Sequence, residues 1–230
     1  MASREIAGMF DRISRSYDFL NHFFSFGTDR RWRRIAIRRL DLSSGCRILD
    51  CGAGTGDMSL TALERVEGIS AVLLDPAQAM LNIADSKSGS IRPQDYRLVR
   101  GVAENLPFPS ESFDRFMVAF GVRNFVDLEK GMRELHRTLK RGGKGAVLEF
   151  TPDRARLINR MFQWYMKHVM EPLGALISHD REAYTYLSRT VERFSTSAEL
   201  MALFSEVGFT CTENKRLSLG IARLFILEKT

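Results

Sequence analysis

The chain has 230 residues, a formal net charge of +6, 44% hydrophobic residues and 27% charged residues. That balance excludes a disordered chain, and the length suits one α/β unit with a modest extension. Three cysteines (Cys46, Cys51, Cys211) without a CxxC pair, and His22, His136, His168 and His179 without ligand spacing, argue against a disulfide framework and a zinc site, so no metal is expected.

Residues 3–20 place Ile6, Phe10, Ile13 and Tyr17 on one helical stripe, weakened by Gly8. Arg4, Glu5, Asp11 and Arg12 in its first turns do not suit a secretory leader. No apolar run approaches the ~18 residues that a spanning helix needs. A cytoplasmic protein, at most resting on the inner face of a membrane, is expected. Next comes a basic block: Arg30, Arg31, Arg33, Arg34, Arg38 and Arg39, interleaved with Trp32, Ile35, Ile37 and Leu40. At helical spacing this is an amphipathic helix with a cationic face. A solvated face, an attraction to anionic headgroups and a nucleic-acid patch all satisfy that pattern.

The stretch Ile48-Leu49-Asp50-Cys51-Gly52-Ala53-Gly54-Thr55-Gly56-Asp57 reads as strand, glycine turn and helix start. Glycines permit positive φ and a close approach of backbone to a ligand. A helix N-terminus offers free N–H groups to an anion or carboxylate. The G-x-G-x-G spacing departs from the dinucleotide pattern, and Asp50 at the strand tip would repel a pyrophosphate but hold an ammonium. The ligand implied carries a carboxylate, an ammonium and a ribose, as S-adenosylmethionine does.

From residue 46 strands and helices alternate. Strands are predicted at 46–50, 70–74, 96–100, 113–120 and 144–150, with two more near 209–217 and 221–228. Alternation of this kind implies a parallel sheet covered on both faces. Asp75 ends the second strand, where a carboxylate can accept both ribose hydroxyls; Pro76 follows it. Gly101-Val102-Ala103-Glu104 would border an adenine. Ala119-Phe120-Gly121-Val122-Arg123-Asn124-Phe125 closes the fourth strand on the ligand side, where Arg123 and Asn124 together could disperse the charge of a phenolic oxygen. Asp127 is a predicted N-cap for a helix carrying Leu128, Met132, Leu135 and Leu139, which Lys140-Arg141-Gly142-Gly143 would end. Residues 152–190 are helical in pattern and rich in aromatics and methionine, including Met161, Phe162, Trp164, Tyr165 and Met166. They read as an insertion able to wall an apolar pocket, or as plain helix core. Thr196 and Glu199 form a capping box, and Gly208 stops that helix.

With these residues in view, the chain resembles the ubiquinone/menaquinone biosynthesis C-methyltransferases along essentially its whole length. The resemblance includes Met9-Phe10-Asp11-Arg12-Ile13-Ser14, Tyr17-Asp18, Leu20-Asn21 and the 50–57 turn. It continues through Asp75, Met80-Leu81, Ala103-Glu104-Asn105-Leu106-Pro107-Phe108-Pro109 and Phe120-Gly121-Val122-Arg123-Asn124. Leu148-Glu149-Phe150, Tyr184, Tyr186-Leu187 and Gly220-Ile221-Ala222 also match. The glycine turn and the Leu-Pro-Phe piece are shared by many methyltransferases, whereas Gly-Val-Arg-Asn and the opening helix are more specific.

The resemblance implies a Rossmann-like class I methyltransferase, seven-stranded with the last strand antiparallel. It would be one domain over 1–230, with an N-terminal helical cap at 1–42 and the insertion at 152–190. It implies S-adenosylmethionine bound by Asp50, Gly52, Ala53, Gly54, Thr55, Gly56, Asp75, Pro76, Val102, Ala103, Ala119 and Tyr17. The substrate would be a prenylated quinol met by Tyr17, Asn21, Phe120, Arg123, Tyr165 and Tyr184. Arg123 and Asn124 would steady the phenolate, with Asp57 as base. An anionic membrane surface is the expected partner and a homodimer is compatible; nucleic acid is not expected, for no Asn-Pro-Pro-Tyr type site is present. Two departures stand out. Val102 occupies a position where the family usually has Asp or Asn, which loses a side-chain bond to the adenine amine. Ser188-Arg189-Thr190-Val191 and Phe194-Ser195 replace the family's more usual Ser-Ile and Phe-Pro. An O- or N-methyltransferase of another small molecule, an RNA methyltransferase and a non-catalytic binding module remain the competing readings.

Overall fold

A computed structural model describes residues 3–89, 91–151 and 157–230. Seven strands form one sheet: β1 (Arg47–Cys51), β2 (Ser70–Asp75), β3 (Tyr96–Arg100), β4 (Phe113–Ala119), β5 (Leu139–Phe150), β6 (Phe209–Leu217) and β7 (Ala222–Lys229). Their spatial order is β3-β2-β1-β4-β5-β7-β6. β7 runs antiparallel between β5 and β6, and the pairs from β3 to β5 are parallel. The expected α/β class and the antiparallel last strand are therefore present.

Side-chain alternation splits the core in two. Ile48, Leu73, Met117 and Ala146 face one layer with Trp32 and Met58. Leu49, Cys51, Val72, Phe116 and Val147 face the other with Leu135, Phe204 and Phe225. Both faces of the central strands are covered, so they read as nearly continuous apolar runs. The edge strand β6 instead alternates half-buried and exposed residues between its buried ends, and its charges blunt an open edge.

The helices are α1 (Ser3–Phe24), α2 (Thr28–Arg39), α3 (Asp57–Arg65), α4 (Gln78–Lys87) and α5 (Leu128–Thr138), then α6 (Leu157–Tyr165), α7 (Glu171–Ser178), α8 (Arg181–Arg193) and α9 (Ser197–Val207). A π turn, Met166–Met170, joins α6 to α7. Gly8 does not interrupt α1. Met9, Leu20 and Phe24 of that helix pack with Met166, Met170 and Tyr184, so the insertion, which reaches Arg193, builds a third apolar cluster against α1. Three of the predicted caps are present. Asp127 accepts from the Lys130 N–H at 2.9 Å, Thr196 and Glu199 cap reciprocally, and Gly208 sits at φ 104°.

Two expectations are corrected. The Lys140–Gly143 segment does not cap α5. That helix ends at Thr138, and Leu139 is already extended and paired with Phe113. Leu139 is buried, and Lys229 Nζ takes the His136 and Leu139 carbonyls at 3.0 and 2.8 Å, which meets the need of the last turn for a cation. The glycines instead serve an irregularity in β5, with Gly142 at φ 70°. In α2, Arg33 is not on the cationic face. Its side chain is 11% exposed and turned inward beside buried Asp29 and Trp32, while Arg30, Arg31, Arg34, Arg38 and Arg39 are exposed. No helix among the described residues is long and apolar enough to cross a membrane.

Candidate active site

The glycine turn lies at the carboxyl ends of β1, β2 and β4, the usual ligand position in an open α/β sheet. Gly52, Gly54 and Gly56 have φ of 72°, 55° and 79°. Gly54 donates its N–H to Asp75 Oδ2 at 2.8 Å, and Ala77 donates to Oδ1 at 2.9 Å. Gly52, Gly54, Asp75, Pro76, Val102, Ala103 and Tyr17 line one cavity. Ile6 and Phe10 of α1, Met80 of α4 and Phe125 after β4 complete its apolar wall, none of them assigned to the site from sequence.

The α1 helix is fastened over this cavity. Asp11 Oδ1 accepts the Ala79 N–H at 2.7 Å. Lys87 Nζ lies 2.7 Å from Asp18 Oδ2 and also binds Asp57. Thr55 donates its hydroxyl to Asp18. Thr55 thus anchors α1 instead of facing the cavity, and Ala53, Gly56 and Ala119 are also outside the lining among the described residues.

Asp50 is the clearest departure. It shares the face of Ile48, so it points toward α3 and accepts from Ser59 Oγ at 2.6 Å. Burial raises its carboxyl to about 6, against the Ser59 bonds. Its side chain holds the strand to the helix and does not line the cavity.

A second cavity adjoins the first at Phe10 and Tyr17 and holds about 850 Å³ of space including its open mouth. Phe120, Phe150, Phe162, Met166 and Leu187 make it apolar. Asn21, Arg123 and Tyr184 line it, while Tyr165 does not. The Tyr165 hydroxyl donates to the Phe24 carbonyl at 3.2 Å and ties α6 to α1. Arg123 and Asn124 part company: Arg123 lines the second cavity and Asn124 the first. Asn124 Oδ1 accepts from the Tyr186 hydroxyl at 3.2 Å, across the junction.

Arg123 is 3% exposed and donates through one terminal nitrogen to Glu149 Oε1 at 2.8 Å and to the Phe120 carbonyl at 2.6 Å. Burial pushes the Glu149 carboxyl up, against Arg123 and backbone N–H groups. Arg33 lines the same cavity. The Nε groups of both arginines are buried without a hydrogen-bond partner among the described residues. Two unspent donors on an apolar wall suit an anionic oxygen. Arg33 and Asp29 escaped the sequence reading because they sit in a basic block. The available signal was their spacing: residues 29, 32, 33, 36 and 37 share one helical stripe with Trp32 and Ile37.

Asp57 lines neither cavity. Burial pushes its carboxyl up, but Arg33, Lys87 and His22 outweigh that and hold it below the usual range. A carboxylate so held is a weak proton acceptor.

A sequence model of the ubiE/COQ5 methyltransferase family matches residues 1–229. The chain belongs to that family. The ubiquinone/menaquinone biosynthesis C-methyltransferase UbiE of Geobacter sulfurreducens is 39% identical over 228 residues, covering 97% of this chain and 88% of its own length. The demethylmenaquinone methyltransferase of Thermus thermophilus is 39% identical over 218 residues, covering 95% and 98%. Among solved structures, the [4+2]-cyclase SpnF superposes with a TM-score of 0.74 at 16% identity, covering 99% of this chain and 96% of its own. A SAM-dependent methyltransferase of Aquifex aeolicus gives 0.62 at 15% identity, covering 85% and 88%. At such identities these structures share the fold alone.

The family makes this chain a methyltransferase with S-adenosylmethionine as its cofactor, and the first cavity fits that molecule. A Cβ on Gly54 would meet no protein atom within 4 Å, so the turn leaves its open side to a ligand. Asp75 would hold the ribose hydroxyls, since each of its oxygens keeps a lone pair beside its one backbone N–H. Val102 and Ala103 would flank the adenine. Burial raises the Asp75 carboxyl to about 6, against the Ala77 and Gly54 N–H groups. Only the ionised form accepts both hydroxyls. Cofactor affinity is therefore expected to be level from pH 8 to 7 and about tenfold weaker at pH 5. Calorimetric titration across that range checks this, and Asp75→Asn should flatten the profile even though Asp50 still titrates.

Proposed function

We propose that the protein transfers a methyl group to a ring carbon of a prenylated quinol, as in the conversion of a demethylmenaquinol to a menaquinol. The observation that carries this reading is the apolar second cavity, which shares Phe10 and Tyr17 with the first and is lined by two arginines whose Nε donors are buried and unspent among the described residues. A flat aromatic ring suits walls of Phe120 and Phe150, whose centroids lie 4.6 Å apart. The names of the relatives from Geobacter sulfurreducens and Thermus thermophilus agree with this substrate class.

S-adenosylmethionine, when bound, supplies an electrophilic methyl group. The chain's own residues prepare the acceptor. A quinol carbon becomes nucleophilic once a ring hydroxyl loses its proton, because the phenolate oxygen pushes charge into the ring. Arg123 and Arg33 would stabilise that oxygen, each well-placed donor contributing roughly 3–4 kcal/mol. Asn124 and Tyr186, bonded across the junction, would orient the ring toward the first cavity. Tyr17 and Phe10 of α1 close over both cavities and keep water from the reacting atoms. Labelled methyl transfer by the purified protein to a demethylmenaquinol and to a methoxy-prenylbenzoquinol, side by side, tests the reading; label in neither quinone contradicts it.

A prenyl tail belongs in a bilayer, and the surface beside the cavity suits one. The α6 helix that gives Phe162 to the cavity presents Met161 and Trp164 to solvent. Phe19, Phe23 and Phe26 at the end of α1 are also exposed, Phe26 by 83%. Five exposed arginines of α2 would each contribute about 1 kcal/mol of attraction to an anionic leaflet. Binding to phosphatidylglycerol vesicles is expected to weaken with salt, and the double change Phe26→Ser, Trp164→Ser to weaken it roughly tenfold. Sedimentation that ignores both salt and lipid charge would remove the membrane from the proposal.

A further inference from the structure

His22 in the last turn of α1, Asp29 in the first turn of α2 and Asp57 at the start of α3 converge beside the second cavity, their donor atoms all within 4.8 Å of one another. The imidazole Nδ1 is 2.8 Å from Asp29 Oδ2, and Nε2 is 3.7 Å from Asp57 Oδ2. Asp29 Oδ1 accepts from Ser25 Oγ at 2.7 Å. Asp29 and Ser25 line the apolar cavity, whereas His22 does not. The Asp29 side chain is 6% exposed and that of His22 20%. The imidazole therefore stands between the dry wall and bulk water.

The charges around it are Asp29 from α2, Asp57 from α3, Arg33 with Nε 3.8 Å from Asp29 Oδ2, Lys87 from α4 bound to Asp57, and Asp18 from α1 bound to Lys87. Three carboxylates stand against two cations, so an imidazolium formed when a proton arrives would be balanced by the surplus carboxylate. A single metal ion fits less well. The two ring nitrogens face different carboxylates, one ion engages one nitrogen of an imidazole, and Lys87 already occupies Asp57.

We propose that Asp29 takes the proton of the substrate hydroxyl and passes it to His22, which delivers it to solvent. This rests on the quinol reading and gives it the base that Asp57 does not supply. The substrate O–H bond breaks and an O–H bond forms on Asp29, while the electron pair stays on the phenolate oxygen near Arg33. The proton moves next to the imidazole, held between two carboxylates, and from there to water. When the ring carbon gains its methyl group, its hydrogen leaves as a proton and the oxygen is reprotonated, so one proton is released per turnover. No oxidant or reductant takes part. Asp29 is the catalytic group and His22 a positioning and relay group.

The test uses the full chain with a quinol that the wild type methylates, measuring kcat, quinol KM and cofactor Kd from pH 5.5 to 9. His22→Gln is expected to lower kcat about a hundredfold, to leave cofactor Kd within twofold, and to recover turnover when imidazole is added. Asp29→Asn, which removes the accepting carboxylate, is expected to lower kcat at least as far, to leave cofactor Kd within twofold, and to gain nothing from added imidazole. Turnover of His22→Gln or of Asp29→Asn within twofold of wild type, or loss of wild-type turnover on chelation with EDTA, would each overturn the relay. If the wild type labels neither quinol, the substrate reading falls and the relay falls with it. If the wild type labels a quinol and His22→Gln matches it, the relay alone falls.

Discussion

Arg123→Met is expected to lose both stability and turnover, and only stability returns when Glu149→Gln is added. Arg123 and Glu149 are 3% and 0% exposed and form an ion pair at 2.8 Å. Removing the cation leaves a carboxyl with no other cation bonded to it among the described residues, and breaking such a buried pair costs about 3–5 kcal/mol. The loss carries a sign with pH. Burial already pushes Glu149 up, and without Arg123 that push is unopposed by a charge. A carboxyl raised in the folded state binds more protons there than in the unfolded chain, so stability falls as pH rises from its unfolded value through its folded one. The deficit of Arg123→Met against wild type should therefore be larger at pH 8 than at pH 5. Glu149→Gln removes the stranded charge while still accepting the Phe150 N–H, which Glu149 Oε1 takes at 2.8 Å. The double variant is expected to recover most of the unfolding free energy in urea titrations. Its kcat should remain roughly a hundred- to a thousandfold low, because the donor to the phenolate oxygen is still missing. Recovery of turnover together with stability would make Arg123 a structural residue only.

The second large effect separates two glycines of one turn. Both Gly54 and Gly56 have positive φ, so any side chain there is strained by about 1–2 kcal/mol. Beyond that they differ. A Cβ on Gly54 meets no protein atom within 4 Å and enters the cofactor cavity. A Cβ on Gly56 lies 3.0 Å from Ala84 Cβ and 3.1 Å from Leu73 Cδ2, inside the packing of α3 on β2 and α4. Gly54→Val is expected to weaken cofactor binding about ten- to a hundredfold while unfolding within roughly 2 kcal/mol of wild type. Gly56→Val should lose a further 1–3 kcal/mol of stability through overpacking. Calorimetry with the cofactor and urea denaturation, run on both variants, distinguish them. Equal effects would mean that the cavity beside Gly54 is not the cofactor's.

What could be read from residues alone follows from locality. The glycine turn, the Asp127 and Thr196 caps and the carboxylate ending β2 depend on neighbours a few positions away, and each stands where expected. The alternation of strands and helices carried the sheet for the same reason. Asp50 was misread because strand parity decides its direction. Its neighbours Leu49 and Cys51 face one core while Ile48 faces the other, and a strand tip does not reveal which face meets the ligand. Charge density suggests a surface position for Arg33 and draws no notice to Asp29, whereas their spacing places both on the inward stripe of α2. His22 carried no local signal at all. Asp29 lies across the α1–α2 turn and Asp57 opens α3, so their meeting is visible only in three dimensions. The fastening of α1 through Asp11, Asp18 and Lys87 has the same long-range origin.

In the proposed reaction methyl is placed on carbon, beside an oxyanion held by Arg123 and Arg33. Transfer of a ¹³C-labelled methyl group to a demethylmenaquinol, followed by carbon NMR of the extracted quinone, reads the position directly. A single labelled methyl bonded to a ring carbon is expected. A labelled methoxy carbon on the ring oxygen would contradict it.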